Sequence, residues 1–356
     1  MTTFHSIRAA AAILAAALVL PAAGAGAADG DFLKGKRVSL LIGGGSGGGV
    51  DVSGRLFARH VVRHLPGAPT IVAQNHPAGG GIIVYQTLAN VAPRDGTAFA
   101  TFASGPLTLP LLRDQNVNYD VRKFTWLGRM SDDANACHTM AGSKVRTVED
   151  AQKIAINVGA TGVTARTATT PLMLNAAIGT KFRVIAGYKG TEGVLLALER
   201  GEVEGRCVSF SSIHVTRPDW IPQKKINLLF QTGLTKHRQY PDLPLASELA
   251  KAPESRKLLE FLGQTLAVTN PFALPPEVAA DRTALWRKAF DDTVRDPAFL
   301  AEAKKLRLNV DPAPGLVVEH LVNAIYATPP DILAIAKASI AKGKAKKKAK
   351  KKKKEN

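Results

Sequence analysis

The sequence predicts an α/β protein of two domains. Three observations predict it. Short apolar, β-rich runs alternate with stretches of helical periodicity, and two glycine loops each separate a strand from a helix in the first hundred residues. Between two ends that add nothing to a core lie about 310 residues, enough for two domains with their own interiors.

At the leading end, His5 and Arg8 precede the apolar run Ala9–Leu20; Pro21 breaks it, and Ala25-Gly26-Ala27 has the small-x-small form of a signal-peptidase site. The run is too short for the roughly 20 residues that span a bilayer. Residues 1–28 are therefore expected to be a signal peptide, cleaved near Ala27/Ala28, that exports the chain to the periplasm. No later stretch is long and apolar enough to span, so the mature protein is expected to be soluble. At the other end, residues 342–356 hold ten lysines interrupted only by Gly343, Ala345 and Ala349 before Glu355. Like charges repel and no apolar face exists, so a disordered, solvated tail is expected. Setting aside that tail and Arg8 leaves about +8 of the whole-chain +18 for the body. A lysine run attracts polyanions by charge alone, so no specific nucleic-acid partner is expected.

In the body, KRVSLLI (36–42) reads as a buried strand, and the following DVSGRLFARHVVRHL reads as a helix. Phe57, Ala58, Val61 and Leu65 recur at helical spacing, with Arg55, Arg59 and Arg63 on the opposite face. PTIVAQN (69–75) is a second strand, followed by HPAGGG and a helix with Val84, Leu88 and Val91 on one face; TAFATFA (97–103) is a third strand. This order with short loops gives parallel pairing. A second α/β region begins near Ser131, with strands ANACHTMA, KIAINVGA, FRVIAGY, GRCVSFS and KINLLFQ, and helical stretches at Pro171–Ile178 and Thr191–Arg200. After Pro253 the pattern is mostly helical: Trp286, Phe290 and Val294 share one face, and Val317, Leu321 and Ile325 another. No internal repeat is visible.

The glycine loops are GGGSGGGVD (Gly43–Asp51) and AGGG (Ala78–Gly81). Where a helix starts, its first backbone N–H groups lack intrahelical partners and carry the positive end of the dipole. Glycines let that backbone approach an anion closely, so both loops are candidate anion cradles. At the carboxyl ends of neighbouring strands they would converge on one spot. The alternative is that the glycines only satisfy turn geometry. Gly43, Gly45 and Gly48 also fit a dinucleotide fingerprint, which wants an acidic residue ending the second strand; here that strand ends in Gln74-Asn75. Gly44, Ser46 and Gly48 spell a nucleophile elbow, making a secreted α/β-hydrolase with Ser46 as nucleophile the alternative function. Too little chain precedes Ser46 to supply its oxyanion loop. His60 and His64 read as a solvated helix face, and His138 and His214 as isolated residues. No catalytic residues are assigned. Only two cysteines occur, Cys137 and Cys207, without metal or redox spacing, so neither a metal nor a cofactor is expected. Export permits one disulfide; the sequence leaves open whether these two meet.

The ordered series GGGVD with a following helix bearing Arg55, QNHPAGGG, NVAPRDGT, VGATG, IAGYKGTEGVLLALERGEVEGR, YPDLPLASELA and FALPPEVAADRTALWRKAFDDTVRDPAFLAEAKK resembles the Bug-type extracytoplasmic solute receptors, the binding subunits of tripartite tricarboxylate transporters. The resemblance runs from about Phe32 to Ile340. It implies a two-lobed, periplasmic-binding-protein fold (type II, flytrap) with a cleft between the lobes: residues 29–130 plus 262–341 form one discontinuous lobe, and 131–261 form the other, ending in a return crossover. It further implies a non-enzymatic, monomeric receptor that holds a small di- or tricarboxylate or related organic acid, largely through backbone N–H groups and water, and delivers it to membrane permease subunits. The family's first loop falls on Ser46, Gly47, Gly48, Gly49 and Asp51, and its second on Gly79, Gly80 and Gly81. A third loop falls on Gly159–Ala165, with Thr161 and Thr164 offering hydroxyls, and Tyr188-Lys189-Gly190 matches a further segment. Asp51 alternatively stabilises the first turn of its helix, Tyr188 alternatively only packs, and Arg166 is a cationic candidate for a second carboxylate or, alternatively, faces solvent. The chain departs from the family at Ile82, often Asn, at Thr164-Ala165, usually Gly-Ser, and in its lysine tail.

Overall fold

The computed structural model describes residues 30–112, 117–132, 134–163 and 165–341. The expected signal peptide and lysine tail lie outside them, as does Thr164. In chain order the strands are β1 (Arg37–Ile42), β2 (Thr70–Asn75), β3 (Ala98–Thr101), β4 (Thr125–Ser131), β5 (Asn135–Met140), β6 (Ile156–Ala160), β7 (Phe182–Ala186), β8 (Gly205–Ser209), β9 (Ile226–Thr232), β10 (Thr269–Leu274) and β11 (Ala313–Pro314).

They form two sheets, ordered β11-β4-β10-β3-β1-β2 and β7-β6-β8-β5-β9. β1 pairs in parallel with β2 and β3, while β10 runs antiparallel between β3 and β4. In the other sheet β6 is parallel to β7 and β8, while β5 runs antiparallel between β8 and β9. Both sheets thus repeat one plan, although no repeat is visible in the sequence. In each, the antiparallel strand adjoins a crossing between lobes: β5 just after the chain leaves the first sheet, β10 just after it returns. The fold is that of a two-lobed periplasmic binding protein, the class the sequence resembles.

The helix Gly49–Val61 packs on the first sheet through Leu56, Phe57 and Val61, all 0% exposed. Phe57 packs at a tilt against Phe272 of β10, 4.3 Å between centroids, and against Phe290 at 5.4 Å. Truncating so buried a ring costs about 3–5 kcal/mol, so this contact fixes where the helix, and the loop preceding it, must sit. The two histidines of this helix are not on a solvated face as their sequence reads, although Arg59 and Arg63 are exposed. His60 is buried, its Nε2 lies 2.6 Å from Glu302 Oε2, and its ring meets Phe299 edge-on; His64 Nε2 lies 3.0 Å from Asp296. The helix Pro297–Lys305, late in the chain, and its N-cap Asp296 engage these histidines, which local periodicity cannot reveal.

Other faces hold in part. Trp286, Phe290 and Val294 are buried together, as expected. The helix Gly315–Tyr326 instead buries Val318, Val322 and Ile325 and leaves Val317 42% exposed. Val91 lies past the end of the helix Ile82–Asn90 and is exposed. Cys137 and Cys207 face each other across β5 and β8 and form a disulfide. Among the described residues no helix is long and apolar enough to cross a membrane.

Candidate functional site

The two lobes enclose a cleft of about 640 Å³ at the carboxyl ends of β1, β2, β3, β6, β7 and β8. The first lobe contributes the loop Gly43–Val50, the turn Pro77–Gly80 and the segment Phe102–Gly105. From the second come Thr161–Gly162 and Ala165–Thr167, Gly187–Glu192, and Arg206, Val208, Ser209, Ser211 and Ser212. The helices Gly49–Val61, Arg166–Ala177 and Gly190–Glu199 all begin at this cleft. Their dipoles point positive ends at one volume.

The glycine loops meet as the cradle argument requires. A Cβ on Gly81, whose φ is +92°, would lie 2.5 Å from the Gly43 carbonyl oxygen, so only glycine fits where the loops touch. The main-chain N–H groups of Gly49 and Val50 open the helix Gly49–Val61 at the cleft, where the first turn of a helix has no intrahelical acceptor. The lobes also touch: a Cβ on Gly45 would stand 3.3 Å from Gly190 Cα, and one on Gly162 would stand 3.5 Å from Gly80 N. Glycine on both sides lets backbone meet backbone across the cleft.

Of the residues singled out from sequence, Ser46, Gly48, Gly49, Gly79, Gly80, Thr161, Tyr188 and Arg166 line the cleft. Gly47, Asp51 and Gly81 do not; they build the loops behind it. Asp51 is 3% exposed, and its carboxylate accepts hydrogen bonds from Gly47 N (2.9 Å), Arg55 Nε (2.7 Å) and Asn75 Nδ2 (2.8 Å). Asn75 also accepts from Arg55 and donates to the Gly44 carbonyl. This network pins both ends of the first loop, a preorganisation that a glycine-rich segment lacks by itself. Thr161 N donates to Thr167 Oγ1, and Arg166 donates weakly to Thr269 Oγ1 at 3.4 Å. The Tyr188 ring lines the cleft while its hydroxyl bonds Glu202; burial and then that carboxylate raise its pKa.

Two cleft residues escaped the sequence reading. Ser104, just after β3, is 5% exposed, and its Oγ has no partner. Arg206, on β8, is 2% exposed, and its Nε has none. Burial, partly offset by Glu192 and reinforced by Arg217, lowers the Arg206 pKa to about 10, so the side chain stays cationic at neutral pH. A charged residue inside an otherwise apolar strand, GRCVSFS, was the available signal. Among the described lining residues Glu192 is the one carboxylate, and it is bridged to Arg217 at 3.3 Å, so Arg166, Lys189 and Arg206 leave the lining cationic.

Such a cleft suits capture better than catalysis. Among the described lining residues there is no histidine to serve Ser46 as base, and the left-handed residue of its turn is Gly47 rather than the serine. Both features favour the receptor reading over the hydrolase alternative. A two-lobed α/β fold with amides and cations converging on an interlobe cleft defines a solute-binding receptor.

The chain belongs to the tripartite tricarboxylate transporter family of receptors, whose sequence pattern matches residues 55–311. A Cupriavidus necator protein described as "UPF0065 protein in gbd 5'region" is 27% identical over 280 residues, covering 74% of this chain and 77% of that protein. The fold is similar to the periplasmic binding protein BugD, with TM-score 0.66 and 21% identity over 85% of this chain and 97% of that one. It is similar to an R. palustris protein solved with adipate, with TM-score 0.67 and 17% identity over 85% and 97% of the two chains. It is also similar to MatC from Rhodopseudomonas palustris with bound malate, with TM-score 0.66 and 15% identity over 86% and 99%.

Proposed function

We propose that this receptor captures a small organic carboxylate in the periplasm, performs no chemistry on it, and presents it to the membrane permease subunits of a tripartite transporter. The observation that carries this reading is the convergence of the positive starts of three helices, with the free first-turn N–H groups of Gly49 and Val50, on a cationic cleft. A carboxylate accepts several hydrogen bonds at once and is favoured at positive helix ends. Ser46, Gly48, Gly49, Gly79, Gly80 and Thr161 contact the ligand, Tyr188 walls it, and Gly47, Asp51 and Gly81 shape the loops. Val50 and Val208 offer apolar surface to its carbon chain. The adipate and malate held by two proteins of this fold support the same ligand class.

Capture proceeds by closure. The lobes, divided near 130/131 and 261/262, move as units, and a ligand bridging both favours the shut state because it binds that state better. The receptor acts as a monomer, after removal of residues 1–28.

The test is a thermal-shift screen of the mature chain against C4–C6 carboxylates, aromatic acids and amino acids. At a concentration of 100 times Kd, a ligand stabilises by about 2.7 kcal/mol, which a melting curve resolves easily. A rise with one or more acids is expected. Turnover of an ester, with no shift for any acid, would restore the hydrolase.

A further inference from the structure

We propose that a second groove between the lobes, separate from the ligand cleft, docks an acidic, partly apolar segment of the membrane permease. The inference rests on the permease partner proposed above and adds the surface that meets it.

The groove encloses about 610 Å³, and among the described residues it shares no lining side chain with the ligand cleft. The first lobe supplies Leu300, Lys304 and Arg307, on and just past the helix Pro297–Lys305; the second supplies Pro218, Ile221 and Pro222. Its width therefore follows the angle between the lobes. The helix Phe210–Thr216 links the two sites. Ser211 and Ser212 near its start line the cleft, His214 lines the groove, and Val215 packs against the apolar core of the first lobe. Movement of this helix as the cleft shuts is felt in the groove. A permease that distinguishes a loaded receptor from an empty one needs a surface whose shape both lobes set.

The chemistry of the groove selects its occupant. Leu300 is 40% exposed, and with Pro218, Ile221 and Pro222 it offers apolar surface from both lobes. Lys304 and Arg307 are exposed beside it, and among the described lining residues there is no carboxylate. Just past the lining, Asp311 faces Arg238 of the second lobe at 3.9 Å. Arg307 sits at an unusual place. Leu308 N donates to the Ala303 carbonyl and Arg307 N to the Lys304 carbonyl, the bond pair that ends a helix through a left-handed residue. That residue is usually glycine; here it is Arg307, with a φ of +56°. A cation is kept at the groove where the backbone favours glycine. Permease segments that face the periplasm are poor in Lys and Arg, so an acidic one complements this rim. The chain's own lysine-rich end has the wrong sign, and a symmetric pair of copies would set cation against cation.

Photocrosslinking in the native host tests this, with a benzophenone probe placed at Leu300 of the full chain. Val91, 76% exposed and outside the groove, is the control position. The Leu300 probe should form an adduct with a polytopic membrane protein, mapped by mass spectrometry to a periplasmic segment of net negative charge. The Val91 probe should not. Adding Lys304→Glu and Arg307→Glu should lower the adduct yield at least about tenfold, and Lys304→Gln with Arg307→Gln should lower it less. Both purified double variants should keep the acid response of wild type in the thermal-shift screen. An adduct with a second copy or a soluble protein, no adduct, or a yield unchanged by the substitutions overturns the proposal. The acid screen is read separately. A chain that responds to an acid but gives no permease adduct at Leu300 loses the groove and keeps the carboxylate reading; an adduct without any acid response does the reverse.

Discussion

Gly45→Val separates closure from folding. Gly45 lies on the first glycine loop, and its φ is not among the positive ones, so a side chain there strains no backbone. The first atom it adds points across the cleft, 3.3 Å from Gly190 Cα in the opposite lobe. Alanine therefore needs a shift of a few tenths of an ångström and should cost below about 1 kcal/mol, up to roughly fivefold in affinity. Valine adds two methyl groups beyond that point, where overpacking costs about 1–3 kcal/mol. The penalty applies only when the lobes are shut. Affinity for the best acid from the screen should accordingly fall about 5- to 150-fold, while the ligand-free protein unfolds as wild type does. Titration calorimetry reads the first quantity, and small-angle scattering reads ligand-induced compaction. Gly142→Ala is the matched control, since a Cβ there meets nothing within 4 Å. Wild-type affinity and full compaction in Gly45→Val would refute the premise that Gly45 and Gly190 must touch for the ligand to be held.

Three further outcomes are expected. Asp51→Ala should destabilise the fold by about 2–3 kcal/mol and weaken ligand binding, because Gly47, Arg55 and Asn75 lose a shared acceptor; denaturant unfolding and calorimetry measure both. His138 should make the protein acid-sensitive. The unfolded chain takes up its proton below about pH 6.5 but the folded chain only near 3, so stability falls through that window by about 1.4 kcal/mol per pH unit. Comparing the pH dependence of unfolding in wild type and His138→Phe isolates this slope, and parallel curves would count against it. Opening the Cys137–Cys207 disulfide, which spans 70 residues, should cost about 4 kcal/mol on the chain-entropy account, read as a lower melting temperature in Cys137→Ala/Cys207→Ala.

The sequence by itself determined the elements whose signal is local. Strands β1, β2 and β3, the helix from Gly49, and the two glycine loops were legible because apolar spacing and turn chemistry act within a few residues. The second-lobe strands β5 to β9 were legible for the same reason. Family resemblance added the two-lobed plan and placed most of the cleft-lining loops.

What tertiary structure alone decided depends on partners far away in the chain. β10 falls in the stretch after Pro253 whose pattern reads as mostly helical, and it carries Pro271 and an Asn270 with a φ of +45°; its place as a central strand is set by β3 and β4. β4 carries Gly128, where a Cβ would lie 2.1 Å from the Phe290 ring, so a residue that weakens a strand pattern is required by a helix from the far end of the chain. Asp51 looked like a ligand contact until Arg55 and Asn75 were seen to engage it, and His60 looked solvated until Glu302 and Phe299 covered it. The burial of Arg206 at 2% exposure is likewise a property of the folded lobe. Periodicity reports which face of an element is apolar, but only the assembled sheets decide which polar groups are sealed in and which of those remain for a ligand to meet.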